Sequence, residues 1–216
     1  NCLIEQQRNV EVLSLTRDLQ TADPYDVAIW NLRANAQVSL DQYGEAIRSL
    51  ETARLLESAT PAMLATLGDL YLNRDQPQES ISAYRQAFSG EKPRVDHMLR
   101  AIQGYLFLES LEEAEQMLQR VRSIDSDKHL SESQRHRRVK LAARLAVLQG
   151  KLDDAMAAYT SVIRENPLDG ESMLALAHLR ITAEQFEDAR MLFERAARTS
   201  GFEARALVRQ AQLEVD

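Results

Sequence analysis

Small residues recur along the chain at intervals of 34 residues. They are Ala46, Ser80 and Ala114, followed after seven extra residues by Ala155 and Ala189. A fixed period in this range is typical of arrays in which each repeat is one small supersecondary unit. We therefore predict a stacked array rather than a single globular core.

The residues within one period predict two amphipathic helices. Leu64, Leu67, Gly68 and Tyr71 have the i, i+3, i+4, i+7 spacing of a single helical face. Residues 73–78 are mostly polar and include a proline, and a second apolar stripe follows them. A row of mostly large residues in this second stripe keeps the same step: Leu50, Tyr84, Leu118, Tyr159 and Phe193. The predicted fold class is all-α, an α-solenoid of stacked helix–turn–helix repeats, and we expect about twelve helices in it.

The small residues have a steric explanation. Where two helices of a hairpin cross closely, Ala, Gly or Ser allows the backbones to approach, and a larger side chain would overpack the site. We therefore expect these positions to face a neighbouring helix rather than water.

The period also predicts the organisation of the chain. The expected segments are an N-terminal flanking helix at 1–24, three repeats at 27–128, an insertion at 129–135, two repeats at 136–203 and a C-terminal capping helix at 204–216. The polar insertion is either a longer loop or an extension of the preceding helix, and Ser131 is a candidate cap for the next helix.

Charge and composition limit the function. The 216 residues carry a net charge of −7, with −8 over residues 1–134 and +1 over residues 135–216. Overall acidity argues against general nucleic-acid binding, which needs a basic footprint. The slightly basic second half is compatible with an acidic peptide or protein partner. Seven Gly and five Pro are too few for a loop-rich or all-β protein.

The compartment is not fixed by the sequence. Cys2 is the only cysteine, so no disulfide can form within the chain, which slightly favours the cytoplasm. The chain begins with Asn1 rather than Met, and we interpret the N-terminus as trimmed. A periplasmic or lipid-anchored protein therefore stays open, with Cys2 as the candidate lipidation residue. No stretch reaches the roughly 18 apolar residues of a membrane helix, so we expect no direct membrane span.

Catalytic and metal-binding patterns are weak. The four histidines, His97, His129, His136 and His178, lack the i, i+3 or i+4 spacing of helical metal ligands. Carboxylate pairs such as Asp153 and Asp154 fall at predicted helix starts, where the helix dipole explains them. We predict no metal, no cofactor and no enzymatic activity.

Taken together, the repeated residues resemble the tetratricopeptide repeat. Its pattern has a large residue, Leu-Gly and Tyr on the first helix, then Ala, an aromatic residue, Ala and Pro on the second. The best copy is Leu64, Leu67, Gly68, Tyr71, Ser80, Tyr84 and Ala87, with Pro93 one place late. The departures are Arg33, Gln37, Ile102 and Arg180, at places that are normally apolar or small. The resemblance implies a right-handed superhelix whose concave groove holds peptides or proteins.

The resemblance also implies which residues line that groove. They are exposed residues of the first helices: Asn31, Asn35, Asn73, Arg100, Arg137, Lys140, Arg144, His178, Arg205 and Arg209. The asparagines are candidates for bonding the backbone of an extended peptide.

A cationic cluster is the sharpest prediction. Some family members hold the terminal carboxylate of chaperone tails with Lys and Asn residues, and Lys140, Arg205 and Arg209 match the basic positions. Because Arg144 and Ala175 replace the two asparagines, chaperone tails do not fit. We predict instead that the cations engage an acidic peptide.

The predicted function is a non-catalytic protein-interaction scaffold that binds a peptide or protein in the concave groove. Two alternatives stay open. One is an assembly domain of a larger enzyme or envelope export machine. The other is a module that self-associates through its terminal helices, as a homo-oligomer.

Overall fold

The computed structural model describes residues 2–90, 94–126 and 130–215, and within them every regular element is an α-helix. The predicted all-α class is confirmed. The twelve helices described are α1 (Cys2–Ala22), α2 (Val27–Ser39), α3 (Tyr43–Leu55), α4 (Pro61–Asn73), α5 (Pro77–Ala87), α6 (Val95–Phe107), α7 (Leu111–Ser126), α8 (Glu132–Leu148), α9 (Leu152–Glu165), α10 (Gly170–Thr182), α11 (Phe186–Ala197) and α12 (Glu203–Val215).

The turn between the two helices of a hairpin is the same structure in every repeat. One residue at its centre has a positive φ, and the five residues stand at equivalent repeat positions: Asp41, Asp75, Glu109, Gly150 and Glu184. The next amide donates to the carbonyl five residues back, as from Lys151 to Ala146 at 2.8 Å. This is the Schellman ending of a helix, in which glycine fits best. Only Gly150 could be predicted to adopt it.

The chain divides into two compact units, one up to Gly104 and one from Tyr105 onwards. In the first unit α2 pairs with α3 and α4 with α5, while α1 packs on α2 and α3 on α4. The core between these helices is built from small and large apolar residues in alternation: Ala34, Ala46, Leu50, Ala53, Met63, Leu67, Leu70, Tyr71 and Ala83.

The second unit repeats this arrangement. Helix α8 pairs with α9 and α10 with α11, and α12 packs on α11. Its core contains the equivalent small and large positions, including Ala143, Ala155, Tyr159, Ala177, Ala189, Phe193 and Ala206.

The small residues face neighbouring helices, as predicted. All five that open the repeat pattern, from Ala46 to Ala189, are fully buried. A Cβ added to Gly68 would lie 2.6 Å from the ring of Tyr84, so this position needs a glycine where α4 meets α5. Close helix crossing therefore explains the period.

The unusual residues of the repeat pattern are accommodated locally. Ile102 is fully buried, and the buried Gln37 side chain accepts a hydrogen bond from the Ser49 hydroxyl at 2.7 Å. Arg33 donates to the Gln20 side chain, and Arg180 donates to that of Gln185. These departures change pairs of side chains and leave the helices intact.

Around the predicted insertion, α7 continues to Ser126 and α8 begins at Glu132. Ser131 caps α8 as predicted: its hydroxyl accepts from the Gln134 amide at 3.2 Å, and the Gln134 side chain accepts from the Ser131 amide. Residues 127–129, which include His129, lie outside the described residues, as does Pro93.

Candidate peptide-binding surface

The ten predicted site residues all lie on the first helices of hairpins or on α12. We use the name first-helix surface for the solvent-facing side of α2, α4 and α6 in the first unit, and of α8, α10 and α12 in the second. The first unit carries Asn31, Asn35, Asn73 and Arg100, and the second unit carries Arg137, Lys140, Arg144, His178, Arg205 and Arg209.

The asparagines of the first unit are accessible to a ligand. Asn35 and Asn73 are exposed, and Asn31 is half-buried one helical turn before Asn35. Their amide groups make no side-chain hydrogen bond within the residues that the structure describes. Their bonding to the backbone of a peptide stays a prediction.

A connected trio of side chains joins α4, α5 and α6 in the first unit. The Tyr84 hydroxyl on α5 donates to Asp69 Oδ1 on α4 at 2.6 Å. The other carboxylate oxygen of Asp69 faces the Arg100 guanidinium on α6 at 3.6 Å. Arg100 was predicted to be a groove cation, and it forms an ion pair with Asp69.

In the second unit, Lys140 is held by two carboxylates. Its Nζ donates to Glu171 at 2.6 Å and to Asp169 at 3.1 Å, which links α8 to the first turn of α10. Burial alone would lower the pKa of Lys140, but the bonds to Glu171 and Asp169 outweigh it, so this pKa is raised. Burial would likewise raise the pKa of Asp169, yet the Ser172 amide and Lys140 lower it. Lys140 therefore stabilises a helix junction.

The remaining arginines of the second unit are in different situations. Arg144 is exposed and lies near Tyr159. Burial raises the pKa of the Tyr159 hydroxyl, and the positive charge of Arg144 offsets part of this rise. The Arg205 guanidinium lies over the Phe202 ring, 5.7 Å from its centroid. Arg137 is half-buried. The structure thus does not present the predicted basic residues as one equivalent set.

His178 and Arg209 come together at a hollow of about 460 Å³. Its wall is mostly apolar and consists of His178, Ile181, Phe186, Arg209, Gln212 and Leu213, with no carboxylate among these described lining residues. Arg209 donates to the Gln212 side chain at 3.0 Å. The His178 ring meets the fully buried Phe193 edge-on, with ring centroids 5.8 Å apart.

Arg209 is the one charged side chain among the described lining residues of the hollow. Burial, followed by repulsion from Arg209, lowers the pKa of His178 below its ordinary value. An anion bound beside Arg209 would favour the protonated imidazole, because an opposite charge nearby raises a histidine pKa.

The sequence reasoning missed how the second helix supports these groups. Tyr84 and Phe193 occupy the same repeat position, as do Asp69 and His178, so a buried aromatic ring contacts the groove residue in each unit. The register of the repeat contains this pairing, since each pair is separated by 15 residues.

The described part of the chain offers no metal site and no membrane span. No group of three or more of its His, Cys, Asp or Glu residues is placed to hold a metal ion. None of the described helices combines the length and the apolar character needed to cross a bilayer.

Comparison with known families agrees with the geometry. Two models of the tetratricopeptide repeat match residues 31–93 and 146–213, which together make up more than half of the chain. The fold and the repeats define an α-solenoid of helical hairpins, a class of generally non-catalytic protein-interaction scaffolds. The chain belongs to the tetratricopeptide repeat family.

Solved structures show the same fold. A tetratricopeptide repeat protein from Parabacteroides merdae ATCC 43184 is 14% identical over 99% of this chain and 94% of its own, with a TM-score of 0.68. YrrB, a protein of this family with an unusual peptide-binding site, is 17% identical over 91% of this chain and 97% of its own, with a TM-score of 0.67. PilF of Pseudomonas aeruginosa is 16% identical over 96% and 86%, with a TM-score of 0.65. No protein of curated function matches significantly.

Proposed function

We propose that this protein is a non-catalytic scaffold whose second unit binds an acidic peptide or protein segment on its first-helix surface. The observation that carries the proposal is the hollow at His178 and Arg209, where a cation and a histidine stand beside apolar side chains. A segment with a carboxylate next to an apolar residue fits both parts of this wall.

The proposal rests on electrostatic complementarity and on preorganisation. Arg209 is exposed and its described partner is the neutral Gln212 amide, so its charge is available to a carboxylate. A charge-assisted hydrogen bond of this kind is about twice as strong as a neutral one. The lining residues come from packed helices, so the protein loses little conformational freedom when a segment docks.

Arg144 extends the same chemistry along the surface. It occupies the repeat position of His178 one hairpin earlier, and it is exposed without a carboxylate partner in the described residues. Lys140 contributes less, because Asp169 and Glu171 already neutralise it. YrrB has the same fold and a peptide-binding site, which supports a peptide as the ligand class.

The test uses a displayed library of random twelve-residue peptides, selected on the 216-residue chain. We expect the selected peptides to be rich in Asp and Glu. In fluorescence anisotropy, Arg209→Glu should weaken their binding by roughly tenfold or more, because a hydrogen bond to a charged group is worth about 1.5–3 kcal/mol and the new carboxylate repels an acidic peptide.

A matched control separates the site from overall charge. Arg164 is exposed on α9, a second helix of the same unit, and Arg164→Glu makes the same change in net charge away from the hollow. We expect Arg164→Glu to bind the peptides like the wild type. Selection of no peptide, or equal losses for both variants, would contradict the proposal.

A further inference from the structure

One row of the repeat has a larger side chain at four positions and an alanine at the remaining one. It runs through Gln37, Tyr71, Tyr105, Ala146 and Arg180, each on the first helix of a hairpin. Tyr71 is 9% exposed and Tyr105 is 1% exposed, so both side chains are packed inside the fold. The alanine, by contrast, is half-buried. At Ala146 the second unit therefore lacks the larger side chain that this row has in the other hairpins.

A cavity of about 310 Å³ lies beside this alanine. It is bounded by α7, α8 and α9, which all belong to the second unit. Its apolar wall consists of Leu118, Ala142, Leu145, Ala146 and Ala158. The remaining lining residues carry charged or amide side chains. We call this space the Ala146 cavity, and it shares no lining residue with the hollow at His178 and Arg209.

The first unit shows which group occupies the equivalent space there. The Tyr71 hydroxyl on α4 donates to Glu51 on α3 at 2.5 Å. The other carboxylate oxygen of Glu51 lies 2.8 Å from Nε of Arg54. Burial, followed by the bond to Glu51, raises the pKa of Tyr71 above its ordinary value. In the first unit, the row is thus filled by a phenol ring that keeps its proton and donates a hydrogen bond.

The Ala146 cavity has the surroundings of Tyr71 without the ring. Three charged side chains act on the Tyr71 hydroxyl: Glu51, Arg54 and Glu79. Their repeat equivalents all line the cavity: Gln119, Arg122 and Asp154. The apolar wall corresponds likewise, since Leu118 stands at the position of the buried Leu50. Gln119 replaces a carboxylate by an amide, whose carbonyl oxygen is still a hydrogen-bond acceptor.

We propose that the Ala146 cavity binds a phenol group in the place that the Tyr71 ring has in the first unit. The ring packs against Leu118, Leu145 and the alanines of the wall, and the hydroxyl donates to the side-chain carbonyl of Gln119. The phenol is carried either by a small free molecule or by a tyrosine of a partner segment. Both sources present the same ring and the same donor to the cavity.

The charge of the wall favours a phenol over a guanidinium, which is the other group that this row uses. Arg180 stands in the row on α10, where its guanidinium lies 3.8 Å from Asp188. In the Ala146 cavity, two carboxylates and two cations give a wall of no net formal charge: Glu115, Asp154, Arg122 and Lys151. At the positions of the two cations, the surroundings of Arg180 have the uncharged Ile163 and Gln185. A phenol is neutral at pH 7, because its pKa lies near 10, so it meets no repulsion from Arg122 and Lys151.

The binding test is an NMR titration of the isotope-labelled chain with p-cresol. We expect saturable shifts of amide signals from α7, α8 and α9, with a dissociation constant on the order of 1 mM, because so small a ligand makes few contacts. The ether p-methylanisole has the same ring but cannot donate, and it should bind at least roughly fivefold more weakly. Gln119 is exposed, so Gln119→Leu should leave the fold intact and weaken p-cresol binding by a similar factor.

Variants that supply the ring from within the chain test the occupant independently. Ala146→Tyr should fill the cavity, abolish p-cresol binding and raise the midpoint of thermal unfolding. Ala146→Phe should raise this midpoint less, because phenylalanine has no hydroxyl to donate to Gln119. Ala157 is exposed on α9 and does not line the cavity, so Ala157→Tyr is the matched control and should bind p-cresol like the wild type. Circular dichroism checks that every variant keeps its helicity.

Two end-blocked peptides separate the sources of the phenol. If Gly-Gly-Tyr-Gly-Gly causes the p-cresol shifts and Gly-Gly-Phe-Gly-Gly does not, the cavity takes a tyrosine side chain; if only p-cresol binds, it takes a small free phenol. The proposal is overturned by a lack of saturable p-cresol binding, by equal binding of p-methylanisole, by tighter binding of methylguanidinium, or by undiminished p-cresol binding to folded Ala146→Tyr. Neither peptide is acidic, so the outcome is independent of the binding proposed at Arg209.

Discussion

Three equivalent repeat positions carry different chemistry in the two units. In the first unit they are Tyr84, Asp69 and Arg100, joined by a hydrogen bond of 2.6 Å and an ion pair of 3.6 Å. In the second unit they are Phe193, His178 and Arg209. Here an aromatic ring contacts an imidazole, and the arginine repels the imidazolium instead of pairing with it.

The comparison shows that the repeat fixes positions but not their chemistry. The same repeat positions give an ion-paired trio in the first unit and, in the second, an arginine whose described partner is a neutral amide. A groove arginine is available to a ligand only where the chain does not supply its own carboxylate. This criterion distinguishes Arg209 from Arg100, which the sequence pattern alone treated alike.

The largest expected effect is a loss of stability on removing the aromatic ring of the second unit's trio. Phe193→Ala should lower the free energy of unfolding by about 3–5 kcal/mol, because it removes a fully buried ring and leaves a cavity. Urea denaturation followed by circular dichroism measures this loss. Phe107→Ala is the control, since that ring is exposed and should change stability by less than about 0.5 kcal/mol. If both substitutions lowered the free energy of unfolding equally, the burial of the Phe193 ring would not be what stabilises the second unit.

A smaller effect is expected from the hydroxyl that distinguishes the two trios. Tyr84→Phe removes the donor to Asp69 and should cost about 1.5–3 kcal/mol, the usual range for hydrogen bonds to charged groups. Tyr43 donates to Asp41 at the same distance of 2.6 Å but on the surface. Tyr43→Phe should therefore change stability by less than about 0.5 kcal/mol. If both variants lose the same stability, burial of the Tyr84 bond does not matter.

The parts of this structure that the sequence predicted are those that depend on the period. The spacing of Ala46 and its equivalents predicted the helical hairpins and the burial of the small row, because close packing permits few side chains there. The positive φ of Asp75 or Glu184 could not be predicted, since a carboxylate residue in that conformation costs roughly 1–2 kcal/mol and only the surrounding packing enforces it.

The site was predicted less completely than the fold. The first-helix positions were assigned from the repeat, but side-chain partners depend on contacts between helices. Lys140 was predicted to be a ligand-binding cation. Its Nζ instead donates to Asp169, the N-cap of α10, and to Glu171 in the first turn of α10. Residue spacing does not determine whether such long side chains meet.

The peptide-binding proposal can be sharpened by giving the second unit the charge pattern of the first. His178→Asp places a carboxylate beside Arg209, and we expect acidic peptides to bind roughly tenfold more weakly, equivalent to about 1.4 kcal/mol. His178→Asn is the matched control, because it removes the imidazole without adding charge and should retain more of the affinity. Fluorescence anisotropy with the selected peptides distinguishes them. Equal binding by both variants would mean that the charge of the hollow is irrelevant.

The smallest expected effect is a pH dependence that differs between the two units. Burial lowers the pKa of both His178 and His97. Repulsion from Arg209 lowers the pKa of His178 further, and repulsion from Arg100 does the same at His97. At His97, the carboxylate of Asp69 offsets part of this lowering. The unfolded chain therefore takes up these protons first, near pH 6.5, so the folded state loses stability as the pH falls from there towards the folded pKa values. His178→Gln should reduce that loss, and NMR titration of the imidazole signals should show both pKa values below the ordinary one. An acidic peptide should raise the pKa of His178 and leave that of His97 unchanged, because only the former lines the hollow; equal shifts, or none, would contradict carboxylate binding beside Arg209.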